Sequence, residues 1–287
     1  MLQDRKIALV GCGTMGEAIL QCLLAQGVAT AAQISASVRS EARCSHLRHT
    51  YGIEATTCNI QAVQAAAIVL LGVKPQALPT LMPMLIGNIP PDALVLSIAA
   101  GITVQTLHQG LNHAAIVRAM PNTPAQVGRG MTVWYAASAV TRGQRSQTIA
   151  LLQALGKELE VQQETTVDQA TALSGAGPGF IFLVIEAMVD AGVQMGLNHA
   201  QAQTLTLETI AGSVELLRQT QQHPASLRNQ VTSPGGATAA GLYELEKGGL
   251  RTTICNAILA AFQRTQQLSQ PAPAKHEHGS SPRESEV

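Results

Sequence analysis

The segment Lys6-Ile7-Ala8-Leu9-Val10-Gly11-Cys12-Gly13-Thr14-Met15-Gly16 decides the fold of the N-terminal half. Its first five residues predict a short buried strand, and the glycines that follow match the G-x-G-x-x-G pattern. An amphipathic helix is predicted over residues 17–25 and stops at Gly27. In this order the first glycine makes the turn, the second admits a pyrophosphate and the third packs helix against strand. The segment predicts a dinucleotide site rather than a turn without ligand, with these cofactor contacts: Gly11, Cys12, Gly13, Thr14, Met15 and Gly16.

The segment after the second predicted strand, residues 33–38, indicates which nucleotide is bound. NAD-binding proteins usually carry an acidic residue there for the ribose hydroxyls. In this chain Ser37, Arg39 and Ser40 precede the first carboxylate, Glu41. Serine hydroxyls hydrogen-bond phosphate, and an arginine pairs with its charge. These residues favour NADP over NAD, although Arg39 can also be read as a solvated residue at a helix start.

The composition fits a compact enzyme of the cytoplasm. The 287 residues carry 18 basic and 18 acidic side chains and only 2% aromatics. Proteins that bind nucleic acids or membrane surfaces usually carry an excess of basic residues, and those that bind single strands also carry aromatic residues that stack on bases. This chain has neither feature, so we expect no nucleic-acid or membrane partner. We expect no membrane span, because no stretch reaches roughly 20 clean apolar residues, and no signal peptide, because a strand begins almost at once. Five cysteines without C-x-x-C spacing predict reduced thiols and no metal site.

Alternating strand and helix patterns extend a first domain over residues 1–162. Strands are predicted at residues 54–56, 67–73, 93–99, 115–119 and 131–135, with helices such as 79–85 and 104–109 between them. This alternation predicts an α/β Rossmann-type domain with a mostly parallel sheet covered on both faces. Ligands bind beyond the carboxyl ends of such strands. Three strand ends are therefore predicted to form the walls of a cleft around a ribose and a nicotinamide: Val73-Lys74-Pro75-Gln76, Ala99-Ala100-Gly101 and residues 118–124. Taken singly, each of them is also compatible with an ordinary loop between a strand and a helix.

The second half is helical and predicts an all-α domain over residues 163–270. Residues 180–189 are apolar on nearly every side, so a helix there must be covered on every face. A second subunit is the natural cover. Glu186 and Asp190 share one face of this helix, and a polar or interface stripe is favoured over paired carboxylates for acid–base work. Further helices are predicted at residues 200–219 and 250–268. Residues 271–287, which include His276-Glu277-His278, are predicted to be a disordered tail.

The segment Val231-Thr232-Ser233-Pro234-Gly235-Gly236-Ala237-Thr238 runs into a helix predicted over residues 237–246. Pro234 fixes φ, and the two glycines let the backbone approach a bound group. Free N–H groups and a partial positive charge at the helix start suit a small carboxylate. Thr238 adds a hydroxyl in the first turn. The segment predicts either an anion site or an ordinary Pro-Gly turn with a threonine cap.

Together these motifs resemble those of the pyrroline-5-carboxylate reductase family. The resemblance covers residues 6 to about 270 and is most specific at residues 231–249, VTSPGGATAAGLYELEKGG. It also rests on residues 11–16, 73–76, 120–124 (MPNTP) and 173–178 (LSGAGP). The family reduces the imine of 1-pyrroline-5-carboxylate to L-proline, the last step of proline biosynthesis. The resemblance implies an oxidoreductase acting on a CH–NH group, with NADPH favoured and NADH possible.

The resemblance also assigns roles to single residues. It implies that the substrate carboxylate lies in the loop of residues 233–237 and that Thr238 hydrogen-bonds the ring nitrogen as the catalytic residue. It implies a homodimer intertwined through the helical domain, often assembled into a decamer. The expected substrate contacts are Glu164, Ser233, Gly235, Gly236, Ala237 and Thr238. Beyond the glycine loop, the expected cofactor contacts are Ser37, Arg39, Asn59, Val73, Lys74, Pro75, Ala99, Ala100 and Gln230.

Two departures and two alternatives accompany this interpretation. Ala176 replaces a serine common in the family, and Gly179-Phe180 stands where relatives often have Ala-Tyr, which removes possible hydroxyls near the substrate. A β-hydroxyacid-type reductase should show a Gly-x-x-x-Asn-x-x-x-Lys helix, which the region after Leu173 lacks. A non-enzymatic NADP-binding redox sensor gives no reason for a carboxylate-sized loop with Thr238. Lys74 is interpreted as a nucleotide or structural contact rather than a general acid.

Overall fold

The N-terminal part of the chain folds into one eight-stranded sheet in the computed structural model, which describes residue 2 and residues 5–269. The order across the sheet is β3-β2-β1-β4-β5-β6-β7-β8. Neighbouring strands are parallel except for β6 and β7, which are antiparallel. The strands are β1 (Ile7–Val10), β2 (Ile34–Ser37), β3 (Glu54–Thr56), β4 (Ile68–Leu71), β5 (Leu94–Ser97), β6 (Ile116–Met120), β7 (Gly130–Ala136) and β8 (Gly156–Glu160).

The direction of winding reverses at β1, which lies between β2 and β4. Ligands of doubly wound sheets bind at such a switch point, outside the carboxyl ends of the strands. Helices cover both faces of the sheet: α1 (Thr14–Ala25), α2 (Glu41–Tyr51), α3 (Asn59–Val63), α4 (Leu78–Leu85), α5 (Val104–Leu111) and α6 (Arg142–Gln153).

Two apolar clusters, one on each face of the sheet, form its core. Because side chains alternate along a strand, Ile7 and Leu9 of β1 join one cluster while Ala8 and Val10 join the other. Every residue of β1 is therefore buried, which explains its continuous apolar run. This confirms the predicted α/β fold with a mostly parallel sheet.

The largest difference from prediction in this half lies near its end, where α6 and β8 were not foreseen. The sequence of β8 is GKELE, and its residues alternate between half-buried and exposed. It is an edge strand that pairs only with β7 within the described residues. Its two glutamates are half-buried, Glu158 accepting from Nε1 of Trp134 and Glu160 pairing with Arg145, so charged residues occupy the inner positions and hide the apolar alternation of a strand. Elsewhere the predicted elements are present with shifted ends. For example, α1 begins at Thr14 rather than residue 17, because Gly13 already serves as its N-cap.

After β8 the described chain is helical. The helices are α7 (Thr165–Ala170), a π-helical turn (Thr171–Gly175), α8 (Gly177–Gln194), α9 (His199–Thr220), α10 (Pro224–Gln230), α11 (Ala237–Lys247) and α12 (Leu250–Ser269). Helix α8 packs against α9, but much of its apolar surface stays open, including Phe182 (59% exposed) and Leu183 (66% exposed). The predicted all-α second half is confirmed. The predicted tail, residues 271–287 with His276-Glu277-His278, lies outside the described residues.

The apolar run through Thr165–Gln194 bears on the expectation that the chain has no membrane span. By length and composition this stretch could cross a membrane, with a mean hydropathy of 1.7, whereas no such segment was expected. One such helix is weak evidence for a membrane span, because a helix that packs in a subunit interface has a similar composition. Glu186 and Asp190 interrupt it. The exposed apolar surface of α8 requires a cover that one subunit does not provide.

Candidate functional site

A cavity of about 680 Å³ opens at the carboxyl ends of β3, β2, β1 and β4. It lies at the switch point of the sheet, where a dinucleotide is expected. Eight of the predicted cofactor residues line it: Gly11, Cys12, Gly13, Ser37, Arg39, Asn59, Val73 and Lys74. Ser40, predicted from the sequence as a second phosphate-bonding hydroxyl, lines it as well. The other lining residues were not predicted as contacts: Val38, Arg43, Thr57, Gly72, Ala77, Thr80, Leu81 and Met84.

The three glycines of the first motif meet different requirements. Gly11 has φ +86°, and a Cβ there would lie 2.4 Å from Cγ1 of Val73. A Cβ at Gly16 would lie 3.1 Å from the carbonyl oxygen of Gly11, so this glycine allows α1 to approach β1 closely. At Gly13 no protein atom lies within 4 Å of the Cβ position, and φ is an ordinary −84°. Packing within the chain therefore does not demand a glycine at position 13, whereas a pyrophosphate lying against the backbone would.

The start of α1 is open toward an anion. Gly13 is its N-cap and supplies no side-chain cap. The first N–H groups of a helix and its dipole together favour phosphate. Ser37, at the end of β2, adds a buried hydroxyl for which no hydrogen-bond partner is present in the described chain. Buried polar groups normally have a partner, so the residues present fit a nucleotide.

The charged residues lining the cavity are Arg39, Arg43 and Lys74, and none of the lining residues is acidic. Arg39 and Lys74 are exposed, and neither forms an ion pair with a described residue. Arg43 pairs with Glu17 of α1. A cavity whose charged lining residues are all basic suits a ligand that carries several phosphate charges.

Cys12 lies in the glycine loop but is not equipped as a nucleophile. Its side chain is buried, and this burial raises the pKa of the thiol to about 12. The thiol is therefore protonated near neutral pH, and a thiol in that form is unreactive. Throughout residues 2 and 5–269, no group of three or more histidine, cysteine, aspartate or glutamate side chains is arranged to hold a metal ion.

The remaining predicted cofactor residues lie outside the cavity lining. Thr14, Met15 and Gly16 form the first turn of α1, and Pro75 begins a 3-10 turn after β4. Ala99 and Ala100 follow β5 at the same edge of the sheet. Gln230 ends α10, and its side-chain amide donates to Oε1 of Gln222 over 2.9 Å. A single chain therefore does not bring Gln230 into the cavity.

Glu164, predicted as a substrate contact, takes part in a polar cluster between the sheet and α7. Its Oε1 accepts a hydrogen bond from the backbone N of Val104 over 2.7 Å and another from Nη1 of Arg118 over 3.2 Å. Arg118, on β6, is almost fully buried and also pairs with Asp168 of α7. The sequence analysis missed this cluster. A signal for it existed, since an arginine inside an apolar strand needs a buried carboxylate partner.

Two of the motifs behind the family resemblance are in contact. The amide of Asn122, in the MPNTP segment, donates to the carbonyl oxygen of Ser174, in the LSGAGP segment, over 3.2 Å. Its Oδ1 accepts from the backbone N of Met131 over 2.8 Å. A Cβ at Gly175 would lie 3.1 Å from Cε of Met120. These segments join the end of β6 to the π-helical turn that leads into α8.

The predicted substrate loop lies between α10 and α11 and is open to solvent. Gly235 has φ +70°, so the turn itself needs this glycine, while a Cβ at Gly236 would lie 3.2 Å from the carbonyl oxygen of Ser233. Gly236 is the N-cap of α11 without a side-chain cap. Ser233, Ala237 and Thr238 are exposed. The free N–H groups at the start of α11 can bind an anion, but none of these residues lines the cavity.

Comparison with known proteins decides the family. Residues 164–268 match the family model described as pyrroline-5-carboxylate reductase dimerisation. Residues 6–101 match the model described as NADP oxidoreductase, coenzyme F420-dependent. The pyrroline-5-carboxylate reductase of Synechocystis sp. is 41% identical to this chain over 265 residues, which is 92% of this chain and 98% of the relative. The chain belongs to the pyrroline-5-carboxylate reductase family.

Solved structures of pyrroline-5-carboxylate reductases share the fold along nearly the whole chain. The pyrroline carboxylate reductase of Plasmodium falciparum, solved with NADP bound, is 28% identical with a TM-score of 0.86, covering 93% of this chain and 99% of that one. The pyrroline-5-carboxylate reductase of Coxiella burnetii is 34% identical with a TM-score of 0.85, with the same coverage. The resemblance that the sequence motifs indicated is confirmed.

Proposed function

We propose that this protein reduces 1-pyrroline-5-carboxylate to L-proline with NADPH, the last step of proline biosynthesis. The observation that carries the proposal is 41% identity along 92% of the chain to a pyrroline-5-carboxylate reductase. Such an enzyme is an NAD(P)H-dependent oxidoreductase acting on a CH–NH group. The β-hydroxyacid-type reductase and the redox sensor lose support, because the helical half matches the reductase dimerisation family rather than another one.

NADPH is the cofactor. Residues 6–101 match an NADP oxidoreductase model, and a solved relative has NADP bound. In this chain the glycine loop and the open start of α1 fit a pyrophosphate, and Ser37 and Arg39 at the end of β2 fit a further phosphate. When bound, the cofactor supplies a hydride to the imine carbon. Use of NADH beside NADPH stays a prediction.

The protein contributes placement more than chemistry. A protonated cyclic imine is already electrophilic, so the main requirement is to align it with the nicotinamide. As hydride reaches the imine carbon, the π electron pair of the C=N bond moves to the nitrogen, which becomes the amine of proline. We assign the substrate carboxylate to residues 233–237 and the start of α11, and the ring nitrogen to the hydroxyl of Thr238. The exposed hydroxyl of Thr238 and the uncapped helix start support this assignment.

Two subunits complete each site in this proposal. Within one chain the substrate loop and the cofactor cavity share no lining residue, and the apolar surface of α8 is open. A homodimer formed through residues 163–270 would cover α8 and bring the substrate loop of one subunit to the cavity formed by residues 1–162 of the other. Glu164 and Gln230 would take their predicted roles there. Assembly into a decamer, a cytoplasmic location and the absence of nucleic-acid and membrane partners stay predictions.

The deciding experiment measures turnover by the purified full-length protein. We expect NADPH oxidation that depends on added 1-pyrroline-5-carboxylate, with one proline formed per NADPH consumed. A parallel assay with NADH measures the cofactor preference. If the protein binds NADPH but does not turn over this imine, the substrate assignment is wrong. Only the nucleotide site would then remain.

A further inference from the structure

We propose that Arg43 is a further recognition residue for the 2′-phosphate of NADPH, and that Glu17 positions it. The proposal rests on the proposed function, since it concerns how the same cofactor site selects its nucleotide. The sequence predicted Ser37, Arg39 and Ser40 for this task. The side chain of Arg43 reaches the same cavity from the first turn of α2.

The position of Arg43 follows from how α2 begins. Ser40 is the N-cap of α2, and its Oγ accepts a hydrogen bond from the backbone N of Arg43. Ser37, Arg39, Ser40 and Arg43 all line the cavity where β2 ends. In this wall one guanidinium extends from the loop and a second from the helix. Arg39 is exposed and has no ion-pair partner among the described residues, whereas Arg43 is fixed by Glu17.

Glu17 and Arg43 belong to a network of five side chains. One carboxylate oxygen of Glu17 pairs with Nη2 of Arg43, while the other accepts from the hydroxyl of Tyr51 over 2.9 Å and contacts Nε2 of His46 at 3.2 Å. Gln21 in turn donates to the Tyr51 hydroxyl over 2.8 Å. The carboxylate contacts only one nitrogen of the guanidinium. Nε and Nη1 of Arg43 have no partner among the described residues, so they remain available to a phosphate.

The arrangement also resolves an electrostatic conflict. Glu17 lies in the first turn of α1, close to where a pyrophosphate would bind, and a carboxylate there repels an anion. Pairing with Arg43 neutralises that charge. Neutralising Glu17 is thus one role for Arg43, and contacting the 2′-phosphate is a second. A variant that lacks both charges distinguishes the two roles.

Binding rather than turnover gives the first test. We would titrate the full-length protein with 2′,5′-ADP and with 5′-ADP by calorimetry, because only the first ligand carries the 2′-phosphate. Arg43→Met should weaken 2′,5′-ADP binding by about tenfold or more, as for the loss of a charge-assisted hydrogen bond, and leave 5′-ADP binding nearly unchanged. Equal weakening for both ligands, or no weakening, would overturn the proposal.

Arg48→Met is the matched control, because it removes a second arginine of the same helix that also pairs with a glutamate. Arg48 pairs with Glu41 and does not line the cavity, so its loss should not change the ratio of the two affinities. Thermal unfolding of both variants checks that they fold. If Arg43→Met does not fold, Arg43→Lys replaces it: the charge stays but the planar fork is lost, and selectivity should still fall.

The double variant Glu17→Gln, Arg43→Met separates the two roles. If Arg43 only neutralises Glu17, removing both charges restores 2′,5′-ADP binding. We expect the loss to persist, because the phosphate contact itself is gone. None of these measurements requires the imine, so a protein that failed to reduce pyrroline-5-carboxylate would still confirm or refute the role of Arg43.

Discussion

At the carboxyl edge of the sheet, Gly11, Ser37 and Lys74 already surround a cavity of about 680 Å³, whereas Ser233 and Thr238 face solvent in the loop before α11. The sheet is covered on both faces by its own helices, so its edge is rigid and its loops are placed within one chain. The helical half leaves apolar residues of α8 exposed. The sheet half buries its core within one chain and forms its cavity within that chain. The helical half, whose apolar surface is open in one chain, needs a partner to complete the site in our proposal.

The largest expected effect comes from breaking the subunit contact. Phe182→Glu with Leu183→Glu places two charges on the exposed apolar surface of α8. We expect a monomer that has lost turnover by on the order of 10²-fold or more, because misplacement of the substrate loop alone costs that much. NADP binding should survive. Sedimentation and calorimetry on the same sample measure both properties.

The control for this variant is Val127→Glu, which charges an exposed apolar side chain on the sheet half instead. It should remain an active dimer. A charged α8 variant that stayed dimeric, or a monomer with full activity, would contradict the proposal that two subunits complete the site.

The next largest effect should follow removal of the Thr238 hydroxyl. Thr238→Ala is expected to lower kcat by about 10²-fold, in the range seen when a positioned proton-transfer group is lost. NADP affinity should not change, because Thr238 lies outside the cofactor cavity. Thr238→Ser keeps the hydroxyl and should keep most of the turnover. Wild-type kcat and KM in the alanine variant would remove Thr238 from the mechanism.

Gly13→Ala tests the cofactor half by itself. A Cβ at this position meets no protein atom within 4 Å, so we expect the variant to keep the unfolding temperature of the wild type. NADP should nevertheless bind about tenfold more weakly, a loss of about 1.4 kcal/mol, because the methyl group enters the space meant for the pyrophosphate. Gly143→Ala adds the same methyl group on α6, where the nearest atom, Oγ1 of Thr141, lies 3.9 Å away, and should leave NADP binding unchanged. Unchanged NADP affinity in Gly13→Ala would mean that no ligand approaches this glycine.

The two halves also differ in how far the sequence predicted them. Strand, glycine and helix patterns are local, so the mostly parallel sheet and several cavity residues, such as Gly11 and Gly13, followed from short segments such as residues 6–16. Arg118 inside an apolar strand signals a buried carboxylate partner, but Asp168 lies 50 positions away, so no local pattern identifies it. Arg43 was missed for a similar reason, since its partner Glu17 lies on another helix. In the proposed dimer, the placement of Thr238 relative to the cofactor depends on a second chain, which no pattern within one chain specifies.

The smallest expected effect concerns how the cofactor half responds to acid. Burial alone would raise the pKa of Glu17, but hydrogen bonds from Arg43, Tyr51 and His46 outweigh it and hold the pKa below its ordinary value of 4.5. A carboxyl whose pKa is lower in the folded state stabilises the fold above the unfolded pKa, and this contribution is lost as the pH falls through the folded pKa. The free energy of unfolding of the wild type should therefore fall more steeply below pH 4.5 than that of Glu17→Gln. Denaturant unfolding across this range measures both slopes, with Glu41→Gln, which removes the partner of Arg48, as the control. Parallel slopes for the wild type and Glu17→Gln would mean that the network around Glu17 does not stabilise the fold, and the fixed position of Arg43 would lose its physical basis.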